Sequence, residues 1–361
     1  MRKWLKRLGL ILLVVLIVAV SVIGYVWRVY LDSGLPSEEV RIPANGETLA
    51  GTLLLPEGDG PFPAVVILHG SAPAVRSHPV ARMHANAFAK RGIAALLYDK
   101  HGFGESSGTY VHEDYRTFIA DAHAALDYLK ARPDVIPDAL GLAANSESGW
   151  FLPEIALARS DIRFAYSRVG PAVPYYELAD FQQRHRLRRT TELTSDQIDE
   201  IVELMLDRYR FFINAGDDEA FYHAEREAIQ QRVDRAHESY DSAILPFGPT
   251  LSREWDEQRA ARIAHCLSYD SRPFLMQNPG VPFLYVFGEH DINVPTEASV
   301  RVLEEVRAAT GENISTHVYT GDDHTLNRMS RVLTATYPAG YFDRMVDFAL
   351  EALAARKRSP R

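Results

Sequence analysis

The stretch LAANSESGW, residues 142–150, decides the fold. A buried-strand sequence leads into it, and an apolar helical sequence, SGWFLPEIALARS, follows. In a nucleophile elbow, G-x-S-x-G places a serine on a sharp turn where the strand and helix backbones pass close together. If Ser146 is central, Ala144 and Ser148 occupy the glycine positions, and both are small. If Ser148 is central, the bulky Trp150 occupies one of them, so Ser146 is the better nucleophile.

Apolar runs alternate with helical spacing on both sides of this stretch. PFPAVVILHG, IAALLYD, RFAYSRVG and VPFLYVFG are typical of buried strands, and YRTFIADAHAALDYLKARPD has the periodicity of an amphipathic helix. EEVRIPANGETLAGTLLLPEG predicts two strands joined at Asn45-Gly46, a strong hairpin dipeptide. The alternation predicts an α/β fold with a mostly parallel sheet and helices on both faces.

The alternation stops over residues 171–272, where the sequence becomes helical, polar and aromatic. Thr194 and Gln197 have capping-box spacing at the start of one long helix. A helical cap, or lid, inserted here would lie over the carboxyl ends of the strands, where open α/β sheets bind ligands. The predicted organisation has three parts. Residues 1–30 form a basic stub and membrane anchor, residues 31–170 and 273–361 form a core in two parts, and residues 171–272 form a cap between those parts.

The N-terminus combines basic residues with a long apolar run. Arg2, Lys3, Lys6 and Arg7 precede LGLILLVVLIVAVSVIGYVW, which runs from Leu8 to Trp27. About 20 apolar residues are enough for one transmembrane helix, and basic residues before it favour a cytoplasmic N-terminus. Trp27 and Tyr30 are then expected at the far interface, with the body on the extracytoplasmic side.

A cleaved signal peptide is the alternative interpretation of the same segment. Ala19-Val20-Ser21 offers a small-x-small cleavage site. The apolar run continues past that site and is longer than a usual signal core, which favours an uncleaved anchor. Both interpretations export the body, one as a membrane protein and the other as a secreted protein.

Composition excludes several other classes of function. The 361 residues carry a formal net charge of −9, and long Lys/Arg blocks are absent from the body, so we expect no nucleic-acid partner. Cys266 is the only cysteine, and the histidines and cysteine have no zinc-like spacing. We therefore expect neither a disulfide nor a metal site, and the oligomeric state stays open.

A serine nucleophile needs a base within hydrogen-bond reach and an acid that orients the base. On a strand, elbow, helix architecture the expected order is Ser, then Asp or Glu, then His. GEHDINVP supplies Asp291 after one late strand, and GDDHTL supplies His324 after the next. Glu289 competes with Asp291 as the acid. His290 competes with His324 as the base, but it adjoins the acid loop itself, which favours His324.

The tetrahedral oxyanion formed in acyl transfer needs two preorganised backbone N–H donors. One is expected from Glu147, the residue after the nucleophile. The other is expected from the loop HGSAPAV, at Ser71, where Gly70 lets the backbone turn close to the substrate.

Six motifs, HGSAP, YDKHGFGESSG, GLAANSESGW, SYDSRPFL, GEHDINVP and GDDHTL, occur in an order that resembles the α/β-hydrolases. The resemblance is to exported serine esterases related to dienelactone hydrolases and the bile-acid-CoA thioesterase group. It covers most of residues 40–355 and is poor in the cap. It implies a triad of Ser146, Asp291 and His324, no cofactor, and small-molecule ester or thioester substrates.

Two features of the cap allow a functional and a structural interpretation. RHRLRR, residues 184–189, would attract an anionic substrate or lipid headgroups, or it is a solvated helix face balanced by nearby acidic residues. Tyr175, Tyr176 and Phe181 line an acyl pocket, or they pack the cap onto the core.

A second hypothesis for the whole chain is a membrane-tethered binding or scaffold protein that kept the fold and lost the chemistry. The loss of both elbow glycines favours it. The retention of Asp291 and His324 in suitable loops favours the enzyme.

Overall fold

The computed structural model describes residues 2–26, 34–71, 74–111, 114–277, 280–311, 313–326 and 337–355. Eight strands in these ranges form one sheet. They are β1 Ser37–Ala44, β2 Glu47–Leu54, β3 Phe62–Ile67, β4 Ala94–Tyr98, β5 Val135–Asn145, β6 Ile162–Arg168, β7 Phe283–Gly288 and β8 Ile314–Tyr319.

The sheet has the order β1-β2-β4-β3-β5-β6-β7-β8. Strands β3 to β8 run parallel to one another, whereas β1 and β2 form an antiparallel hairpin and β2 pairs antiparallel with β4. Asn45 and Gly46 form the hairpin turn with φ values of 50° and 85°, a backbone region that these residue types tolerate. The predicted mostly parallel sheet and its N-terminal hairpin are confirmed.

Helices cover both faces of the sheet. The helices are α1 Arg2–Val26, α2 Pro79–Ala89, α3 Tyr115–Lys130, α4 Ser148–Leu157, α5 Tyr175–Thr190, α6 Ser195–Asn214, α7 Glu219–Ser239, α8 Glu257–Leu267, α9 Arg272–Met276, α10 Thr296–Thr310 and α11 Tyr341–Ala355. On one face α2 and α11 pack through Phe88 and Met345. On the other, α3, α4 and α10 pack through Leu126, Ile155 and Leu303. Each face therefore has its own buried apolar layer.

Helices α5 to α8 occupy the region expected to form the cap. The capping box at the start of α6 is present, because Thr194 Oγ1 accepts from the N–H of Gln197 and the Gln197 side chain accepts from the N–H of Thr194. Ile201, Val202 and Leu187 belong to a buried cluster that is separate from the two layers on the sheet. The helical content of the insertion is as predicted, and the domain limits stay a prediction.

Helix α1 covers most of the N-terminal apolar run. Its described large apolar side chains, from Leu10 to Val22, are exposed. Within the described part of the chain, however, no helix has the length and apolar character needed to cross a bilayer. The predicted transmembrane helix over Leu8 to Trp27 is therefore not supported. Trp27 and Tyr30, expected at the far interface, lie outside the described residues.

Candidate active site

Ser146 lies on a sharp turn between β5 and α4. Its φ of 52° is in the left-handed region, which few residues other than glycine adopt. Its N–H donates to the carbonyl oxygen of Arg168 at 2.8 Å, and its own carbonyl oxygen accepts from the N–H of Gly149 at 2.8 Å. The neighbouring strand and the first turn of the helix thus hold the serine in this conformation, as an elbow requires.

The close approach of strand and helix depends on glycines at other positions than the sequence pattern predicts. A Cβ on Gly149 would lie 2.5 Å from the Cα of Gly170, and a Cβ on Gly170 would lie 2.7 Å from the Cα of Gly149. Because both contacts are to backbone, neither position has room for a side chain. Ala144 and Ser148, at the two expected glycine positions, are fully packed instead. The sequence analysis did not predict this pair. The overlooked signal was the dipeptide Ser148-Gly149 at the start of α4, followed by Val169-Gly170 directly after β6.

Ser148 has a structural role in the turn. Its side chain is completely buried, its Oγ accepts from the N–H of Asn145 at 2.8 Å, and its hydroxyl contacts the carbonyl oxygen of Asn145 at 3.1 Å. The hydroxyl therefore closes the turn around Ser146 and does not face a cavity.

The structure brings Ser146, His324 and Asp291 into one hydrogen-bonded row. Ser146 Oγ lies 3.1 Å from His324 Nε2, and His324 Nδ1 lies 2.8 Å from Asp291 Oδ2. The other carboxylate oxygen of Asp291 accepts from the N–H groups of Asn293 and Val294 at 2.8 and 2.9 Å. The acid is thus buried and held from two sides, which fixes the imidazole ring.

The two competing residues from the acid loop lie elsewhere. Glu289 accepts from the N–H of Gly321 at 2.7 Å and is half exposed, so it ties the acid loop to the base loop. The side chain of His290 is exposed, and its Nε2 lies 3.8 Å from a carboxylate oxygen of Glu289. Neither residue is placed next to Ser146 Oγ.

Ser71 and Glu147, the expected oxyanion donors, flank Ser146. Gly70 lies so close to the elbow that a Cβ there would be 3.4 Å from the Cβ of Ser146. The backbone N–H groups of Ser71 and Glu147 have no acceptor among the described residues. One of these N–H groups follows Ser146 in the chain and the other follows Gly70, which approaches it, and a developing oxyanion needs two such donors.

A buried ammonium group connects the two donor residues. Lys100 Nζ donates to the carbonyl oxygen of Gly70 and to the Glu147 carboxylate, both at 2.8 Å. Both side chains are almost fully buried, and Nζ lies 4.1 Å from the ring centre of Phe118. Burial lowers the pKa of Lys100, and the Glu147 carboxylate opposes that shift. Sequence reasoning named the YDKHGFG motif but assigned no role to its lysine.

A cavity of about 390 Å³ opens at Ser146. Val80, Ala81 and Met83 form an apolar wall, and the polar groups Ser71, His78, His84, Arg168, His324 and Tyr337 also line it. Burial, aided by the Arg168 charge, lowers the pKa of His84 to about 3, so its imidazole is neutral at physiological pH. No residue of the cap is among the described lining residues.

Of the cap residues singled out in the sequence, Tyr175 and Arg184 take the structural interpretation. Tyr175 packs on Trp150, with ring centres 5.3 Å apart, which joins the cap to the elbow helix. Tyr176 is exposed, and Phe181 stacks with His185 inside α5. Arg184, in the RHRLRR segment, bonds to carboxylates of the cap. Among the described residues, no cluster of three or more His, Cys, Asp or Glu side chains could hold a metal ion.

Comparison with known proteins places the chain among hydrolases. The family model described as X-Pro dipeptidyl-peptidase (S15 family) matches residues 45–322. The chain is 32% identical over 153 residues to esterase EstD of Thermotoga maritima. The matched segment covers 41% of this chain and 36% of that protein. The chain is 38% identical over 114 residues to thiohydrolase aneE of Aspergillus aculeatus, which covers 31% and 35%. It thus spans about a third of the length of the curated relatives it matches.

Solved structures show the fold. The chain resembles the α/β hydrolase GrgF from Penicillium sp. sh18, at 18% identity and a TM-score of 0.56, over 89% of this chain and 100% of that one. It also resembles Est1E from Butyrivibrio proteoclasticus, crystallised with ferulic acid, at 18% identity and a TM-score of 0.55, over 87% and 99%. The fold is therefore that of the α/β-hydrolases, as the sequence motifs predict.

Proposed function

Since this chain belongs to the X-Pro dipeptidyl-peptidase (S15) family, we propose that it is a serine hydrolase that cleaves carboxylic esters or thioesters through an acyl-enzyme. The row of hydrogen bonds from Ser146 through His324 to Asp291, beside a cavity, carries the proposal. No cofactor enters the proposed reaction.

In the proposed reaction, Ser146 Oγ attacks the carbonyl carbon while His324 Nε2 takes the hydroxyl proton. Asp291 stabilises the imidazolium through its bond to Nδ1, and the N–H groups of Ser71 and Glu147 bind the oxyanion. When the tetrahedral intermediate collapses, His324 returns the proton to the leaving alcohol or thiol. Water, deprotonated by His324, then attacks the acyl-enzyme and releases the acid and free Ser146.

Ester substrates fit this site better than the peptide amino termini that the family's name implies. A dipeptidyl-peptidase must recognise a protonated α-amino group, and a carboxylate is the usual partner for such a charge. The described residues that line the cavity include no Asp or Glu, and their formal charge is that of Arg168. The names of two relatives, an esterase and a thiohydrolase, support the same choice. The narrower kinship with dienelactone hydrolases and bile-acid-CoA thioesterases stays a prediction.

The proposed location of the body is the extracytoplasmic side of a membrane. Support comes from the basic residues before the apolar run and from the exposed apolar side chains of α1. Fractionation of cells that express the full chain, followed by protease treatment of intact spheroplasts, tests the location. We expect a membrane-associated, protease-sensitive body. A soluble periplasmic or extracellular protein that begins after Ser21 would indicate signal cleavage, and a protected cytoplasmic body would contradict the proposal.

Hydrolysis of a series of 4-nitrophenyl acyl esters from two to twelve carbons, chosen to span the cavity, tests the proposed chemistry. The chain-length profile measures how much of the cavity the acyl group fills. A fluorophosphonate probe reports whether Ser146 is nucleophilic independently of the acyl group, with Ser146→Ala as the blank. If a folded protein neither hydrolyses any ester nor takes up the probe, the scaffold hypothesis replaces the enzyme.

A further inference from the structure

Arg168 puts a buried positive charge on the wall of the cavity that contains Ser146. It is the last residue of β6 and is only 5% exposed. Its hydrogen-bond partners among the described residues are all neutral: Asn145 Oδ1 and the carbonyl oxygens of His324 and Thr325. Its buried Nε has no partner at all among the described residues.

Such a charge is expensive to bury without a counter-ion, because carbonyl dipoles replace only part of its hydration. The carboxylate that influences it is Asp291. Both oxygens of Asp291 are already engaged by His324 Nδ1 and by two backbone N–H groups. Arg168 therefore lines the cavity with a positive charge to which no carboxylate is hydrogen-bonded among the described residues.

We propose that the cavity takes esters that carry a carboxylate, and that Arg168 is the group that recognises it. The inference rests on the proposed function and names its substrate class. The guanidinium is planar and weakly hydrated, and it binds carboxylates with charge-assisted hydrogen bonds, which suits a buried site. A bound carboxylate would balance the charge that Arg168 brings to the cavity wall.

A purely structural role is the competing explanation. Arg168 joins Asn145, beside the nucleophile, to the loop of His324, so its loss could disturb the triad. The two roles differ in what they affect. Loss of an arginine that only holds the triad in place should lower kcat for every substrate. Loss of a recognition group should raise KM for anionic substrates.

Mono-4-nitrophenyl adipate and its uncharged carboxamide analogue test the proposal on the full chain, with hydrolysis by Ser146→Ala subtracted. We expect the wild type to prefer the carboxylate in kcat/KM by about tenfold or more. Arg168→Gln should remove that preference by raising KM for the carboxylate ester, while the carboxamide ester loses less than about fivefold. Equal losses for the two esters would overturn the proposal.

Arg208 provides the matched control. It is a mostly buried arginine whose Nε also lacks a partner among the described residues, but it lies in the cap against Phe247. Arg208→Gln should leave the preference between the two esters unchanged. If Arg168→Gln does not fold, competitive inhibition of the wild type by hexanoate and by hexanamide decides. The anion should bind at least about tenfold better, and equal inhibition constants would refute the proposal.

The side of the ester that carries the charge is decided by a second pair of substrates. Butyrate esters of 4-hydroxybenzoate and 4-hydroxybenzamide place the carboxylate on the leaving group instead of the acyl group. A preference in this pair alone assigns the cavity to the leaving group, and no preference in either pair rejects the proposal. Calorimetric binding of adipate to wild type and to Arg168→Gln tests the anion site separately from the proposed hydrolase function. An Arg168-dependent affinity without any ester hydrolysis would leave the anion site standing and reject the proposed function.

Lys100 carries a second, independent inference about the oxyanion donors. The carbonyl of Gly70 and the N–H of Ser71 are the two ends of one trans peptide group, so they point in opposite directions. The Lys100 ammonium on the carbonyl oxygen therefore fixes the plane of the peptide whose N–H faces the substrate. It also polarises that peptide, which makes the N–H a stronger donor.

The same ammonium holds the side chain of Glu147, the residue that supplies the other expected donor. We infer that Lys100 is a positioning residue for both oxyanion donors. Because the oxyanion exists only in the tetrahedral state, loss of Lys100 should lower kcat and leave KM nearly unchanged.

Lys100→Met and Lys100→Gln test this inference with an uncharged ester. Lys100→Met should lower kcat by about 10- to 100-fold with KM within about threefold, and it should weaken a boronic-acid transition-state analogue by a similar factor. Lys100→Gln keeps a donor for Gly70 but no charge, so it should fall between Lys100→Met and the wild type. It also decides the matter if Lys100→Met does not fold. A melting temperature that falls while kcat stays at the wild-type value would show a merely structural role.

Discussion

The carboxyl edge of the sheet and the cap are built in opposite ways. At the edge, backbone groups approach so closely that Gly149 and Gly170 have no room for a Cβ, and Ser146 has a positive φ. The cap consists of helices α5 to α8, of which α5 to α7 share an apolar cluster of their own, with long polar helices and many exposed side chains.

The difference teaches which part of the molecule specifies chemistry. At the edge, each turn has one backbone geometry that suits the proposed reaction. The addition or removal of a single side-chain atom there should therefore change the rate of the reaction. In the cap, apolar side chains pack into a cluster of their own, and no described cap residue lines the cavity at Ser146. Changes at the edge should therefore affect the reaction, whereas changes in the cap should mainly affect the stability of the cap.

The largest effect is expected at the nucleophile. Ser146→Ala should lower kcat for a 4-nitrophenyl ester by about 10⁴-fold or more, since the attacking oxygen is lost. Ser148→Ala removes the other serine of the same turn, whose hydroxyl only closes the turn. It should keep activity within about tenfold and lower the free energy of unfolding by about 1–3 kcal/mol, because the N–H of Asn145 loses its acceptor. If the two variants exchanged these phenotypes, the nucleophile would be Ser148.

Gly149→Ala tests the close approach at the edge. The added Cβ would meet the backbone of Gly170 at 2.5 Å, so strand and helix must separate. We expect a loss of about 3 kcal/mol in the free energy of unfolding, together with lower kcat because the turn at Ser146 shifts. Gly248→Ala is the control in the cap region, where nothing lies within 4 Å of the added atom. Equal denaturation midpoints for the two variants would show that the edge is as tolerant as the cap.

Ile201→Ala sharpens the comparison from the cap side. Ile201 is buried in the cap cluster, and its truncation should destabilise the cap by about 3 kcal/mol through lost burial and a cavity. Amide hydrogen exchange should accelerate in α5 to α8 and stay slow in the sheet, while kcat/KM stays within about tenfold of wild type. A loss of activity as large as that of Ser146→Ala would make the cap part of the catalytic machinery.

The fold was predictable from sequence because its strands are continuous apolar runs and its helices are amphipathic. Parallel strands covered on both faces have that signature, and Asn45-Gly46 marks the hairpin. The expectation of a transmembrane helix finds no support among the described residues.

The candidate site was only partly predictable, for a physical reason. Residues that follow strand ends, such as Asp291 and His324, meet at one edge of the sheet because parallel strands bring their carboxyl ends together. The glycine pair at positions 149 and 170 depends on the distance between two backbones, so the dipeptides SG and VG mark the two glycines but do not show that they meet. The roles inferred for Lys100 and Arg168 likewise depend on contacts between residues that are distant in sequence.

The smallest expected effect concerns a buried carboxyl group of the core, Asp121 on α3. Its side chain is 2% exposed and lies 3.4 Å from the His101 ring, and burial, partly offset by His101, raises its pKa to about 6. Because the folded pKa exceeds the unfolded value, the folded state is favoured below about pH 4, and this advantage is lost as pH rises through about 6.

Asp121→Asn removes the ionisation, so it should be more stable than wild type by about 2–3 kcal/mol at about pH 8 and show little difference at about pH 4. Denaturation midpoints measured across this range check the expectation. Asp127→Asn, on the same helix but two-thirds exposed and paired with Arg159, should change stability by less than about 1 kcal/mol. A pH-independent difference at Asp121 would mean that packing, and not the buried charge, separates the variants. A pH-dependent difference would show that the core tolerates an uncompensated charge close to the candidate site. The core would then differ from the cap, where the surface charges are paired.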